Sequence, residues 1–120
     1  MSIRIDDALD VHVRALELRT KRSEILAANL ANEETPGFQA RDIDFAAEMR
    51  RVERAEQQFG LLGQDPRLMF RIPHQASQDG NTVELSVEQA EFSRNATSFQ
   101  TSLTFLSNSI RGLKQAIEGR

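Results

Sequence analysis

Residues 92–117 have the sequence FSRNATSFQTSLTFLSNSIRGLKQAI, the clearest helical pattern in the chain. Its apolar residues recur at alternating spacings of four and three, the heptad pattern of a helix that packs along a partner helix. The row consists of Phe92, Ala96, Phe99, Leu103, Leu106, Ile110, Leu113 and Ile117. Because Ser86 and Gln89 resemble a capping box, we predict that a C-terminal helix begins near residue 86 and ends near 118.

A second long helix is predicted over residues 6–32, a stretch without Pro or Gly and rich in Ala, Leu, Arg and Glu. Such residues favour helix. Two neighbouring rows predict a broad apolar face: Leu9, Val13, Leu16, Thr20, Ser23, Ala27 and Leu30, and beside them Val11, Ala15, Leu18, Arg22 and Ile25. Pro36 and Gly37 favour a turn just after this helix.

The middle of the chain has a different character, with most of its Gly and all of its Pro residues. A short helix is predicted near 43–59, closed by Gly60. A short strand is predicted at 68–72, because Pro73 stops strand pairing. The remainder of 36–85 is predicted to be irregular.

These elements predict a mainly α fold of one domain, in which long N- and C-terminal helices pair as an antiparallel coiled coil. The N-terminal helix belongs to residues 1–35, the irregular middle segment to 36–85 and the C-terminal helix to 86–120. With seven Phe and neither Trp nor Tyr, the chain has little apolar area to bury alone. The heptad row could be the core of a monomeric hairpin. We expect it to pack both within the subunit and against neighbours.

Composition argues against several classes of protein. The net charge is −3 with both signs spread along the chain, whereas nucleic-acid binders carry a basic face. No apolar run approaches the roughly 20 residues that span a bilayer, and the first residues do not form the pattern of a cleaved signal peptide. The absence of Cys excludes disulfides and thiolate metal sites. We therefore expect no nucleic acid and no membrane span.

We predict no catalytic residues, no metal site, no cofactor and no small-molecule substrate. The two histidines, His12 and His74, lack a partner at metal-ligand spacing, and His12 is expected on a helix surface. Asp42 and Asp44, with Glu48, resemble a paired-carboxylate site only superficially, and we interpret the two aspartates as caps at the start of a helix, where Asp is common. Residues 79–81 (Asp-Gly-Asn) are expected to form a turn, because the other ligand spacings of a calcium loop are missing.

Two further local patterns have simple explanations. The sequon Asn95-Ala96-Thr97 lies inside a predicted helix, so we interpret it as chance. Arg50, Arg51 and Arg54 are expected to form ion pairs with neighbouring Glu residues on a solvated helix. The alternative for these arginines is an intersubunit contact.

The end of the first helix carries a compact turn motif. Its residues are Asn29, Asn32, Thr35, Pro36, Gly37 and Phe38. Asn side chains can bond the last helical carbonyls and the following turn. The Thr-Pro-Gly step then turns the chain, and Phe38 can fold back onto the helix end. On periodicity alone, a helix C-cap without further function is the favoured interpretation of these residues.

Residues 25–38, ILAANLANEETPGF, resemble the N-terminal signature of the flagellar rod and hook protein family. Asn29, Asn32, Thr35, Gly37 and Phe38 hold the matching positions. Residues 39–45, 79–83 and 99–106 resemble the proximal rod members of that family, whereas 57–71 shows no family pattern.

The resemblance implies a structural subunit of the bacterial flagellar basal-body rod whose paired terminal helices stack helically around an export channel. It implies a position on the periplasmic side, at the base of the rod, and export through the flagellar type III apparatus without a cleaved signal. The implied partners are further copies, other rod proteins, the basal-body adaptor ring and the export gate. The residues expected to form the coiled coil and the assembly contacts are Leu9, Val13, Leu16, Leu30, Phe92, Phe99, Leu103, Leu106, Ile110, Leu113 and Ile117.

We further expect the chain to be exported partly unfolded and to form its helix pair only on joining the rod. The alternative from another class is a cytosolic helical-hairpin adaptor, such as a secretion chaperone, that is stably folded alone.

Overall fold

The chain consists mainly of helix in a computed structural model that describes residues 5–57, 66–75 and 77–119. The elements in chain order are α1 (Ile5–Ala31), β1 (Arg41–Asp42), α2 (Phe45–Gln57), β2 (Met69–Phe70) and α3 (Leu85–Glu118). The prediction of a mainly α fold with two long terminal helices is confirmed.

The two long helices lie antiparallel along each other. Asn29 of α1 bonds Glu88 of α3, and the ring of His12, nearer the start of α1, lies 5.3 Å from that of Phe105. The contacts therefore run in opposite directions along the two helices. The radius of gyration is 18.1 Å, against about 14 Å for a compact chain of this length, so the molecule is an elongated rod.

The helix ends differ in part from their predicted chemistry. α3 begins at Leu85, and its N-cap residue Glu84 makes no side-chain capping bond, so the predicted capping box of Ser86 and Gln89 is wrong. Gly119 closes α3 in the left-handed conformation and donates its N–H to the carbonyl of Gln115, a common C-terminal cap.

The middle segment contributes α2 and a small antiparallel sheet. Asp44 Oδ1 accepts the N–H of Ala47 at 3.2 Å, which confirms Asp44 as the cap of α2. Arg41 of β1 pairs with Phe70 of β2. β2 lies inside the predicted strand, whereas β1 was not predicted. The predicted closure by Gly60 lies outside the described residues.

Among the described residues the buried interior is small and contains many polar groups. Its buried apolar residues are Leu18, Leu26, Ala40 and Ile43, and its buried polar residues are Asn29, Glu48, Asn81, Glu88 and Asn95. Most of them lie where α1, α3 and β1 meet. Within the described ranges no helix is long and apolar enough to cross a membrane.

Candidate functional site

The face of α3 that lies against α1 contains fully buried polar residues. Glu88 and Asn95 are both 0% exposed and stand seven positions apart, so they lie on one side of the helix. Asn95 Nδ2 donates to the carbonyl of Arg19 at 2.8 Å and to Ser23 Oγ at 2.7 Å. These contacts fix which side of α3 faces α1.

The predicted heptad row of α3 divides into two halves. Phe92, Phe99, Leu106 and Leu113 are half-buried beside the inner polar residues. Ala96, Leu103, Ile110 and Ile117 are exposed. We call these four exposed residues the outer strip. Since residues seven apart drift by only about 20° on a helix, the outer strip is a continuous line along α3.

The exposure of the outer strip increases toward the end of α3. The exposed fraction is 38% for Leu103, 49% for Ile110 and 82% for Ile117. Phe105, on the other flank of α3, is also 60% exposed, although its ring contacts that of His12. A helix with its large aliphatic side chains in solvent is suited to a further packing partner.

α1 shows the same division between its two predicted rows. The row with Leu18 faces inward, since Leu18 is buried and Val11, Ala15, Arg22 and Ile25 are half-buried. In the first row Leu9, Leu16 and Leu30 are half-buried, whereas Val13 is 41% exposed. That the exposed residues of the first row, such as Val13, contact neighbouring subunits stays a prediction.

A cluster of charged side chains joins α1, β1, α3 and the residues after β2. We call it the polar cluster; its members are Arg22, Asn29, Asp42, Arg71, Glu88 and Glu91. Arg22 donates hydrogen bonds to both carboxylate oxygens of Asp42, at 2.9 Å each. It also donates to Glu91 Oε2 at 2.8 Å. Such bidentate pairs fix geometry as well as adding energy.

The second arginine of the polar cluster comes from the segment that follows β2. Arg71 Nε bonds Glu88 Oε1 at 2.6 Å, and Arg71 Nη2 bonds Asp42 Oδ2 at 2.8 Å. Asn29 Nδ2 donates to the other carboxylate oxygen of Glu88, Oε2, at 2.9 Å. Asn29 also makes two hydrogen bonds with the backbone of Arg41: its Nδ2 donates to the carbonyl, and its Oδ1 accepts the N–H. β1 and α3 are thus bonded directly to α1, and the segment after β2 is bonded to β1 and α3.

The charges of the polar cluster shift the pKa of its members. Burial raises the pKa of Asp42. The hydrogen bonds from Arg22 and from the Ile43 N–H, together with the charges of Arg22 and Arg71, lower it by more than burial raises it, so the pKa lies below its ordinary value. The hydrogen bond to Asp42 raises the pKa of Arg22 against the opposing effect of burial. Asp42 was predicted to cap a helix; that interpretation is wrong, because its carboxylate is occupied by the two arginines.

The turn motif closes the end of α1 with both local and distant bonds. Asn32 Nδ2 donates to the carbonyl of Ala28 at 2.7 Å, and Asn32 Oδ1 accepts the hydroxyl of Thr35 at 3.0 Å. The predicted local capping by an Asn is therefore confirmed. Gly37 has φ +74°, which supports the predicted turn, and its N–H donates to the carbonyl of Asp79 at 2.9 Å.

Residues 79–83 supply the rest of this closure. Asn81 is buried, and its Nδ2 lies within 3.0 Å of the carbonyl oxygens of Asn32, Glu33 and Thr35. The predicted turn at 79–81 is confirmed, with Gly80 at φ +77°. Thr82 bonds the carbonyl of Phe38. Phe38 is half-buried and Pro36 exposed.

Two buried polar side-chain atoms lack a hydrogen-bond partner among the described residues. These atoms are Arg19 Nε and Asn95 Oδ1. The guanidinium carbon of Arg19 lies 3.9 Å from the ring centroid of Phe45, a favourable cation–π contact. Burial and the charge of Arg22 lower the pKa of Arg19.

The other candidate positions have structural roles. Glu48 is 5% exposed; it accepts the N–H of Arg67 at 3.0 Å and pairs with Arg51. His12 is half-buried against Phe105, and His74 is exposed and contacts Glu84. In the described ranges no group of three or more His, Cys, Asp or Glu is placed to hold a metal.

Sequence reasoning missed the polar cluster, although one signal for it was present. Arg22 stands in the inward row of α1 among apolar residues, and a charged residue there needs a buried partner. The partners of Arg22, Asp42 and Glu91, lie 20 and 69 residues away, beyond the reach of helical periodicity.

Comparisons with known proteins identify the family of this chain. A family model for flagella basal body rod proteins matches residues 9–39, which include most of α1 and the turn motif. A flagellar basal body rod protein FlgB from Aeromonas hydrophila is 40% identical, with 99% of this chain and 98% of that protein covered. The chain belongs to the FlgB family of flagellar basal body rod proteins.

Other FlgB proteins align over almost the whole chain as well. That of Salmonella typhimurium is 39% identical over 97% of this chain and 96% of its own length. That of Cereibacter sphaeroides is 43% identical over 94% of this chain and 95% of its own length. The predicted resemblance is therefore confirmed, and the chain is a structural subunit of the flagellar basal-body rod. A cytosolic adaptor or chaperone is not favoured.

Proposed function

We propose that the chain builds the proximal rod by packing the outer strip of α3 against neighbouring rod subunits. The observation that carries this proposal is that α3 buries polar residues and exposes large apolar ones. Its buried positions Glu88 and Asn95 are polar, whereas Leu103, Ile110 and Ile117 face solvent. Full burial of one such aliphatic side chain contributes about 1.5–3 kcal/mol, so several together favour association against its entropy cost.

The polar cluster has a complementary role in this proposal. It binds α1, α3, β1 and the segment after β2 in one arrangement, through hydrogen bonds that a slip of either helix would break. Buried polar pairs are best attested as devices that fix register. The polar cluster thereby presents the outer strip in a single orientation.

The finer position of the subunit is part of the same proposal. Subunits stack helically around the export channel, on the periplasmic side, and link the adaptor ring and export gate to the other rod proteins. The chain reaches this place through the flagellar type III export apparatus without a cleaved signal peptide. Similarity to FlgB proteins over nearly the whole chain supports this position. The role is assembly and not catalysis.

Export in a partly unfolded form is consistent with the small interior. The buried apolar residues of the described ranges are Leu18, Leu26, Ala40 and Ile43, too few to stabilise two long helices strongly. We expect purified monomer to show less helix by circular dichroism than the assembled rod. A monomer that is as helical as the assembled rod contradicts this step.

Two aspartate substitutions on α3 test the assembly role. Ile110→Asp places a charge on the outer strip, whereas Leu106→Asp places one on the half-buried side toward α1. Both should abolish incorporation into basal bodies while leaving expression intact. Only Leu106→Asp should also reduce the helix content of the free chain.

The matched control is Asn108→Asp, because Asn108 is exposed on another face of the same helix. This variant should enter basal bodies like the wild type. Normal incorporation of Ile110→Asp, measured by quantitative immunoblotting of purified basal bodies, contradicts the proposed function.

A further inference from the structure

The outward face of α1 carries a second heptad pattern that the α1–α3 pair does not use. Acidic residues recur every seven positions at Asp10, Glu17 and Glu24, and all three are exposed. Val13, Thr20 and Ala27 recur between them and are exposed too. Glu17 and Glu24 have local partners in Arg14 and Lys21, at 3.0 and 3.7 Å. We call the six heptad residues the acidic face.

The exposed charges of α3 have the opposite sign. The exposed ionisable residues described on this helix are Arg94, Arg111, Lys114 and Glu118, a sum of +2. The exposed ones described on α1 are Asp10, Glu17, Lys21 and Glu24, a sum of −2. Arg94 is already paired with Glu91, whereas Arg111 and Lys114 follow Ile110 by one and four positions and place positive charge beside the C-terminal part of the outer strip. This charge is opposite in sign to the carboxylates of the acidic face.

The two surfaces are complementary in size as well. The outer strip offers the large side chains Leu103, Ile110 and Ile117, whereas the acidic face offers smaller ones. In heptad packing a side chain of one helix enters a hole formed by four residues of the facing helix, and the short side chains of Val13, Thr20 and Ala27 leave room for the larger ones of the outer strip. Both patterns have the same seven-residue repeat, so they can stay matched over several turns.

We infer that the outer strip of α3 docks on the acidic face of α1 in a second copy of this chain. This rests on the proposed function and names the partner of the outer strip. Contact between two different surfaces is heterologous and repeats from copy to copy, which gives a ring or a helix. Pairing of α3 with α3 would oppose Arg111 and Lys114 to their own copies, and pairing of α1 with α1 would oppose carboxylates.

Cross-linking between single-cysteine chains tests this contact, because the natural chain contains no Cys. One tagged chain carries Thr20→Cys on the acidic face. A differently tagged chain carries Ala96→Cys, Leu103→Cys or Ile110→Cys, at three levels of the outer strip. Both are expressed in the same cells, and purified basal bodies are treated with a short bis-maleimide. Gln39→Cys, exposed in the loop before β1, is the control.

Mixed α1–α3 dimers at one or more levels are the expected product, with few dimers between identical positions. Dimers formed mainly between identical positions, or links only to other rod proteins, overturn the inference. In either case the chain is still present in basal bodies, so the proposed function survives. Absence of all chains from basal bodies, wild type included, would instead count against the proposed function.

Charge exchange gives a second readout that does not depend on cysteines. Arg111→Glu with Lys114→Glu should lower the yield of the chain in basal bodies about tenfold, because attraction becomes repulsion. Adding Asp10→Lys and Glu17→Lys to the same chain reverses both surfaces and should restore most of the yield. A full yield of the first variant, or no recovery in the second, overturns the inference.

Discussion

Asn29 and Glu88 lie 59 residues apart in the sequence and share a 2.9 Å hydrogen bond at a place where neither is more than 1% exposed. This bond joins the end of α1 to the beginning of α3. Arg71 takes the other oxygen of Glu88, so one carboxylate connects three segments. Stability should therefore depend more on the polar cluster than on any single apolar contact.

Glu88→Ala should be strongly destabilising. It removes one of the two acceptors from the Arg71 guanidinium, which keeps Asp42, and from the Asn29 amide, which keeps the Arg41 carbonyl, and the loss of these two buried hydrogen bonds should cost about 1–3 kcal/mol. Chemical denaturation followed by circular dichroism measures the loss. Gln89→Ala, at an exposed position beside it, should change stability little. Equal stability of the two variants contradicts the role assigned to Glu88.

Asn81→Ala should destabilise the closure of α1 by about 1–3 kcal/mol, because three carbonyls lose a buried donor. Hydrogen exchange of the amides in residues 32–38 should accelerate more than that of α3. The control is Gln78→Ala, at an exposed position of the same loop. Unchanged exchange at 32–38 shows that Asn81 is not the cap.

Acid should weaken the fold through Asp42. The pKa of Asp42 is lowered in the folded chain. The carboxylate therefore contributes its full share to the free energy of unfolding at a pH above its pKa in the unfolded chain, near 4, and that share is lost as the pH falls through its pKa in the folded chain. Asp42→Asn should thus be less stable than wild type at neutral pH, and the gap should narrow below about pH 4.

Urea titrations at a series of pH values measure this gap. Asp10→Asn, at an exposed position of α1, is the control for a general charge effect. A gap between Asp42→Asn and wild type that stays constant from neutral to strongly acidic pH shows that the Asp42 carboxylate is not the titrating group.

Two glycine substitutions should have opposite effects. Gly37→Ala is strained, because φ is +74°, and should cost about 1 kcal/mol. Gly112→Ala lies in α3 with nothing within 4 Å of the added methyl group and should gain about 0.5–1 kcal/mol. Thermal unfolding compares them directly. A destabilising Gly112→Ala indicates that the helix is not regular there.

The helices themselves could be predicted from the sequence, but which side of each helix lies inward could be predicted only in part. Unbroken spacings of four and three identify α3 as a helix. They do not show which side lies inward when the buried positions are Glu88 and Asn95. A periodicity argument places apolar residues inside, and here half of the apolar row, including Leu103 and Ile110, lies outside.

Contacts between distant segments lay beyond local patterns. Asn32 and Asp44 act on neighbouring backbone, so their capping could be predicted. Asn81 closes the end of a helix about 48 residues away, and Asp42 bonds two arginines instead of capping α2. The sequence pattern of a short polar residue before a helix is the same whether its side chain caps that helix or bonds a distant segment.

The most direct test of the assembly role is the reactivity of a thiol at residue 117. Ile117→Cys gives the chain a single cysteine at a position that is 82% exposed in the subunit. A maleimide should label it rapidly in free chain and more than about tenfold more slowly in purified basal bodies, because a packed interface excludes the reagent. Equal labelling rates in the two states contradict the claim that the outer strip is buried when the rod forms.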